Sequence, residues 1–224
     1  MRYSARMSQK TWTAVDEYLN ERIVRPDEAL SAALAASVAG GLPEIAVSAP
    51  QGKLLNLLAG AMGAKRILEI GTLGGYSAIW LARALPPGGQ LITLEYSPKH
   101  AEVARSNLAR AGVAQVAEVR VGPGLELLPS LSGQFDFFFI DADKGGYPEY
   151  FRACLRLSRP GSVMVFDNVV RDGEVIDSRS RDSAVRAVRQ LYEDIAAEPR
   201  VEATAIQTVG AKGYDGFCMA VVNH

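Results

Sequence analysis

Oxygen-donor side chains end two apolar segments of the sequence, FDFFFID at residues 135–141 and SVMVFDN at residues 162–168. If these segments are neighbouring parallel strands, they lie about 4.8 Å apart, so Asp141 and Asp167 must converge on a cation or repel each other. With Asn168 they provide two carboxylates and an amide oxygen, hard donors that suit Mg²⁺ best and also fit Mn²⁺ or Ca²⁺. Zinc is disfavoured, because no His or Cys lies near them in the sequence. The alternative is that these residues only cap the turns that follow the strands.

A lysine follows Asp141 closely, in the segment DADKGGYP. Lys144 is a candidate general base, because partial burial beside a cation would favour its neutral form. The alternative is an ordinary solvated lysine, which is the commoner state of a loop lysine. Asp143 lies in the same loop and could equally cap the helix that follows.

A glycine-bearing turn joins an apolar strand to a helix in KRILEIGTLGGYS, residues 65–77. Gly71 allows a tight turn and a close approach to a ligand, which would face the free N–H groups at the start of the helix. Leu73 occupies the second glycine position of G-x-G-x-x-G, which disfavours a pyrophosphate-binding NAD site. Glu69 would also repel a pyrophosphate, whereas it could pair with a cationic ligand such as the amino-acid portion of S-adenosylmethionine.

Glu95 closes the next apolar strand, QLITLE, at residues 90–95. In a nucleotide-binding α/β unit, an acid at this place accepts hydrogen bonds from the two ribose hydroxyls. The alternative is that residues 71–75 form an ordinary turn and that Glu95 is a solvated strand end.

Bringing these side chains to one edge requires a parallel sheet with helices on both faces. The hydrophobic pattern predicts strands at 66–70, 90–95, 117–121, 135–141 and 162–167, and helices at 77–85, 97–111, from about 125, 147–157 and 182–197. Two closing strands, at 201–209 and 217–222, are predicted to form a hairpin across the link GAKGYDG. The predicted fold is therefore α/β and Rossmann-like, with a doubly wound, mostly parallel sheet and an antiparallel C-terminal hairpin.

Three helices precede the glycine turn, at residues 8–24, 27–39 and 51–62. They cannot belong to the sheet, so we expect them to pack on its face or rim as an N-terminal helical cap. At 224 residues the chain is long enough for one sizeable core. We predict a single domain over residues 1–224, with the cap at 1–63 and the α/β core at 64–224.

The composition is that of an ordinary globular protein, with 48% hydrophobic and 22% charged residues and a net charge of −1. No basic field recruits nucleic acid, no segment is long enough to span a membrane, and the N-terminus lacks a signal-peptide core. We therefore expect a cytoplasmic location. Cys154 and Cys218 read as reduced core thiols rather than a disulfide. Since His100 and His224 are the two histidines, a histidine-based catalytic centre is not expected.

In the order of its motifs, the chain resembles the cation-dependent O-methyltransferases, the group that contains catechol O-methyltransferase and the plant caffeoyl-CoA O-methyltransferases. The family's segments correspond to Leu42–Pro50, Ala64–Ser77, Asp141–Lys144, Asp167–Asn168 and Asp215–Val222. The resemblance covers nearly the whole chain. Two segments depart from the family pattern: after Asn168, Val169 and Val170 replace a Leu-Trp pair, and after strand three Gly124 stands where alanine is common.

The resemblance implies that S-adenosylmethionine is the cofactor and that a divalent cation is required. It implies cofactor-binding roles for Val47, Glu69, Gly71, Ser77, Glu95 and Asp141, metal-binding roles for Asp141, Asp167 and Asn168, and the role of base for Lys144. The implied reaction is transfer of the sulfonium methyl to a hydroxyl of a catechol-like or caffeoyl-type small molecule, a vicinal aromatic diol. We also expect a homodimer. The alternatives are O-methylation of a hydroxylated tRNA nucleoside and a non-catalytic module that binds S-adenosylmethionine.

Overall fold

The structure is a computed structural model that describes residues 8–223. Within this range the strands are β1 (Arg66–Ile70), β2 (Gln90–Glu95), β3 (Ala117–Val121), β4 (Phe137–Ile140), β5 (Val163–Asp167), β6 (Val201–Gly210) and β7 (Gly213–Val222). These seven strands form one sheet in the order β3-β2-β1-β4-β5-β7-β6. Strands β1 to β5 pair in parallel, and β7 runs antiparallel to both β5 and β6. The predicted fold class is confirmed.

Eight α-helices accompany the sheet in the described chain: α1 (Gln9–Leu19), α2 (Glu28–Ala39), α3 (Ala49–Ala61), α4 (Tyr76–Ala82), α5 (Pro98–Arg110), α6 (Gly124–Leu127), α7 (Tyr147–Arg156) and α8 (Ser183–Ala197). A π-helical turn, Asn20–Val24, continues α1, and short 3₁₀ segments lie at Leu128–Ser130, Lys144–Gly146 and Arg171–Ile176. None of the helices between residues 8 and 223 has the length and apolar character needed to cross a membrane.

The predicted cap helices are present, and local capping explains where two of them begin. Asp27 accepts a hydrogen bond from the Leu30 backbone at the start of α2, and Ser48 accepts one from Gln51 at the start of α3. Helix α2 packs on α4 and α5, helix α3 packs on α4, and α1 packs on β6. The predicted cap also includes residues 1–7, which lie outside the described residues, as does His224.

The central strands are apolar on both faces because helices cover both sides of the sheet. Along β4, Phe137 and Phe139 join one core cluster, while Phe138 and Ile140 join the other. In the described chain, Cys154 and Cys218 are buried free thiols, as predicted. Because the central strands are packed on both faces, the ends of β1, β4 and β5, where the candidate residues lie, are held in place.

The closing hairpin differs from its prediction at the turn. The link was expected to run from residue 210 to 216, but β6 extends to Gly210 and β7 begins at Gly213, leaving a two-residue turn. Gly216 pairs with Gln207 inside the ladder, and a Cβ there would lie 2.3 Å from the Ile206 carbonyl oxygen. Gly216 is therefore required by close packing between the strands, whereas Gly213 adopts a positive φ of 97° where β7 begins.

Gly71 marks the closest approach between β1 and the segment after β4. Its φ is +101°, and a Cβ at this position would lie 2.1 Å from the Asp141 carbonyl oxygen. The Asp141 backbone N–H in turn donates to the Ile70 carbonyl at 2.9 Å. A side chain at residue 71 would separate the two segments that carry the candidate site.

We expect Gly71→Ala to lower the free energy of unfolding by about 2 kcal/mol or more, because the new methyl group is both strained and overlapped by backbone. Gly60→Ala is the matched control, since outside its own stretch of α3 the described chain has no atom within 4 Å of a Cβ built at Gly60. Gly60→Ala is expected to raise the free energy of unfolding by about 0.5 kcal/mol. Urea unfolding measures both, and equal effects of the two substitutions would contradict the packing argument.

Candidate active site

A cavity of about 790 Å³ opens at the carboxyl ends of the central strands. Its volume lies in the range of small-molecule sites. The walls include the predicted residues Val47, Gly71, Ser77, Glu95, Asp141, Lys144 and Asn168. The fold thus brings together residues from the loop before α3, the β1–α4 turn and the ends of β2, β4 and β5.

Glu69 lies in β1 and is fully buried. Its Oε2 accepts a hydrogen bond from the Thr93 hydroxyl at 2.5 Å, and Thr93 in turn pairs with Thr72 at 2.5 Å. Burial raises the pKa of Glu69 to about 8, although the nearby Ser77 and Thr93 hydroxyls oppose the shift. The Oε1 atom has no hydrogen-bond partner in the described chain. A buried polar atom without a partner is costly, which makes Oε1 a candidate acceptor for a hydrogen-bond donor of a ligand.

Glu95 is buried at the cavity wall and is held by backbone donors. Its Oε2 accepts from the Leu73 N–H at 2.7 Å and its Oε1 accepts from the Ser97 N–H at 2.9 Å. His100 Nδ1 lies 3.3 Å from Oε1. Leu73, the residue that interrupts the dinucleotide pattern, adopts a positive φ of 50° and thereby aims its N–H at Glu95. The alternative of a solvated strand end is wrong.

Asp141 and Asp167 lie at the ends of adjacent strands, because β4 pairs with β5 in parallel. Asp167 Oδ1 accepts a hydrogen bond from the Asn168 N–H at 2.8 Å. Burial, reinforced by the charge of Asp141, raises the pKa of Asp167 to about 7, while Lys144 opposes this shift. Within residues 8–223, no cluster of three or more His, Cys, Asp or Glu side chains could hold a metal ion. The candidate donor set is thus the two carboxylates together with the Asn168 amide.

Lys144 pairs directly with Asp141. Its Nζ lies 2.7 Å from Asp141 Oδ1, and its side chain is only 12% exposed. The ammonium also lies 5.0 Å from the centroid of the Tyr147 ring. Lys144 is therefore not the solvated loop lysine of the alternative interpretation. Asp143 is the residue that caps here, since its side chain accepts from the Gly146 N–H at 3.1 Å.

Two structural residues of the site escaped sequence analysis. The fully buried Tyr147 hydroxyl lies 2.7 Å from the Asp167 carbonyl oxygen and 3.1 Å from the Ile140 carbonyl oxygen, so it bridges the ends of β4 and β5. Asp215 Oδ1 accepts from the Val170 and Arg171 N–H groups, both at 2.9 Å, and so fixes the chain after Asn168. The aromatic residue in DADKGGY was the available signal for Tyr147, but its partners are carbonyl groups that no residue pattern reveals.

A family model described as O-methyltransferase matches residues 23–219. The chain belongs to the O-methyltransferase family. It is 56% identical over 209 residues to a catechol O-methyltransferase of Mycobacterium tuberculosis, covering 93% of this chain and 94% of that protein. It is 35% identical over 169 residues to caffeoyl-CoA O-methyltransferase 2 of Zea mays, covering 69% of this chain and 63% of the maize protein. The family predicted from the motifs is thereby confirmed.

A solved structure of this family shows the same fold. The O-methyltransferase TomG from Streptomyces achromogenes, involved in tomaymycin synthesis and solved in complex with SAM, superposes with a TM-score of 0.95 and 53% identity. The match covers 97% of this chain and 100% of TomG.

The pKa of Glu69 predicts how stability depends on pH in the absence of ligands. A carboxyl whose pKa is raised on folding destabilises the folded state as pH rises from the unfolded pKa, near 4.5, through about 8. We expect Glu69→Gln to gain stability relative to the wild type by about 1.4 kcal/mol per pH unit across this window. Urea unfolding at pH 5 and pH 8 measures this, with the exposed Glu102→Gln as control. Parallel pH profiles for wild type and Glu69→Gln would contradict the assignment.

Proposed function

We propose that this O-methyltransferase uses S-adenosylmethionine and a divalent cation, Mg²⁺ foremost, to methylate one hydroxyl of a small vicinal aromatic diol. The observation that carries the proposal is the convergence of Asp141, Asp167, Asn168 and Lys144 beside the 790 Å³ cavity. The names of the mycobacterial relative and of the SAM-bound TomG structure support the acceptor class and the cofactor.

The cofactor roles follow from charge and hydrogen bonding. Glu69 offers a buried, partly unpaired carboxyl to the ammonium group of the methionine portion. Glu95, fixed by two backbone N–H groups, keeps lone pairs for the ribose hydroxyls. Gly71 permits a close approach, Val47 and Ser77 flank the ligand, and Asp141 borders both the cofactor and the cation.

The cation roles follow from the mutual repulsion of two carboxylates. The buried Asp167 has a raised pKa partly because Asp141 lies beside it. A divalent cation would favour ionisation of both groups, with Asn168 as the amide donor. The chemistry that such a cation supplies is Lewis-acid polarisation of the acceptor hydroxyl.

In this proposal Lys144 is the group that takes the hydroxyl proton. In the structure its Nζ pairs with Asp141 Oδ1, and a cation that drew Asp141 away would leave Nζ without this partner and beside the acceptor hydroxyl. As the acceptor oxygen bonds to the methyl carbon, the carbon–sulfur bond breaks and the hydroxyl proton passes to Lys144 Nζ. The cavity walls would hold the reacting atoms in line, which would supply much of the rate.

The domain division, with a cap at 1–63 and a core at 64–224 in one domain, is part of the proposal. The homodimer and the cytoplasmic location stay predictions. Intact Lys144, Asp141 and Asp167 argue against a non-catalytic module, and the net charge of −1 argues against tRNA as the acceptor.

A methyl-transfer assay tests the proposed function. With S-adenosylmethionine and Mg²⁺, we expect turnover of catechols or caffeoyl esters, loss of activity in EDTA, and recovery on adding Mg²⁺ or Mn²⁺. Asp167→Asn should lower kcat by about 10²-fold or more, since a charged carboxylate donor is replaced by a neutral and weaker amide donor, with cofactor affinity kept in calorimetry. Asp177→Asn, at an exposed position, is the control. Full activity in EDTA, or methylation of hydroxylated tRNA in place of every diol, would contradict the proposal.

The role of Lys144 has its own signature. Lys144→Ala should leave cofactor affinity nearly intact and lower kcat by about 10²-fold or more, the range for losing a general base. Lys144→Arg should not restore activity, because a guanidinium stays protonated. The wild-type rate should rise with pH through an ionisation that is absent in Lys144→Ala. A near-normal rate with the same pH limb in the alanine variant would show that Lys144 is not the base.

A further inference from the structure

A second cavity, of about 310 Å³, lies on the other side of the candidate cation site. Asp141 and Lys144 line the larger cavity, Asp167 lines the smaller one, and Asn168 lines both. A cation held by these residues would therefore sit in the wall between the two spaces. A molecule in the smaller cavity could reach the cation while a ligand in the larger cavity presents its methyl group.

The smaller cavity is built by segments that hydrogen bonds hold in place. Its lining comes from α1, the start of α3, the end of β5 and the tip of the β6–β7 hairpin. The tip is fixed to α1, because the Ala211 N–H donates to Asp16 Oδ2 at 2.7 Å. It is also fixed to the loop that borders the larger cavity, because Lys212 Nζ donates to the Glu44 carbonyl oxygen at 3.0 Å.

The charged side chains of the smaller cavity are mostly acidic. The lining includes the carboxylates of Asp16, Asp167, Asp172 and Asp215 and the ammonium of Lys212. Because Lys212 is directed to Glu44, the acids dominate, and the net charge of the lining stays negative even with a divalent cation bound. A ligand with its own negative charge is repelled here, whereas a neutral or cationic ligand is not.

We infer that the smaller cavity receives the ring of the methyl acceptor and that Asp172 at its rim selects acceptors by charge. The favoured class is a single-ring vicinal diol with a neutral or cationic substituent, ahead of diols that carry a carboxylate or a coenzyme A thioester. The volume agrees, since about 310 Å³ lies at the lower end of small-molecule sites. The inference rests on the proposed function and adds where the acceptor lies and which charge it carries.

The location is tested by filling the cavity. Thr208 and Thr204 are exposed residues on the same face of the edge strand β6, and Thr208 lines the smaller cavity. We expect Thr208→Trp to raise the KM for 4-methylcatechol by about tenfold, with the Kd for S-adenosylmethionine unchanged in calorimetry. Thr204→Trp, the matched control, should change neither constant.

The charge selection is tested with three diols that differ in one substituent: dopamine, 4-methylcatechol and 3,4-dihydroxyphenylacetate. In the wild-type enzyme, kcat/KM should be lowest for 3,4-dihydroxyphenylacetate, the diol that carries a carboxylate. Asp172 has a left-handed backbone, with φ of 54°, a conformation that asparagine tolerates well, so Asp172→Asn removes charge without added strain. This substitution should lower the ratio of kcat/KM for dopamine to kcat/KM for 3,4-dihydroxyphenylacetate by about threefold. Glu174→Gln removes a charge from the same 3₁₀ segment, and its ratio should match wild type.

The outcomes separate the inference from the proposed function. If wild type methylates none of the diols although it binds S-adenosylmethionine, the proposed function fails. If wild type methylates them, but Thr208→Trp leaves KM unchanged or Asp172→Asn leaves the ratio unchanged, the inference is overturned and the proposed function stands. A faster rate with caffeoyl-CoA than with dopamine would also overturn the charge selection.

Discussion

The repulsion between two carboxylates at the ends of adjacent strands is the constraint on which this site depends. Asp141 and Asp167 follow β4 and β5, which the parallel ladder holds side by side. Their position is maintained through the backbone, because the Tyr147 hydroxyl ties both strand ends through their carbonyl oxygens. The buried aromatic core on both sides of β4 leaves the carboxylates little freedom to separate. The site is thus preorganised for a positive charge, which Lys144 supplies in part.

The same logic extends to the cofactor side of the larger cavity. Glu69 is buried with one oxygen unpaired, and Glu95 is fixed by N–H groups of its own neighbourhood. Each acid costs desolvation energy on folding, and a complementary ligand group would offset part of that cost. Positive backbone φ values at Gly71 and Leu73 accompany this arrangement. The turn after β1 therefore combines close backbone approach with placement of an N–H on Glu95.

The helical cap and the closing hairpin complete the site from outside the central sheet. Helix α1 reaches the hairpin tip through Asp16, and Lys212 of that tip reaches Glu44. These contacts enclose the smaller cavity next to Asp167 and Asn168. Asp215, from the same hairpin, fixes the backbone after Asn168. The hairpin therefore contributes to the site as well as to the sheet.

The sequence by itself determined the alternation of strands and helices, the family, and the residue types at the strand ends, because these depend on local periodicity and on short motifs. It misjudged the hairpin turn, since Gly216 serves strand packing that depends on the partner strand and Gly213 provides a positive φ at the start of β7. The tertiary structure alone decided that Tyr147 bridges two carbonyl groups, that Glu69 keeps an unpaired oxygen, and that Asp143 does the capping. The existence of the smaller cavity also depends on the tertiary structure, because Asp16 and Ala211 form a hydrogen bond although they lie 195 positions apart in the chain. No local pattern encodes such a contact.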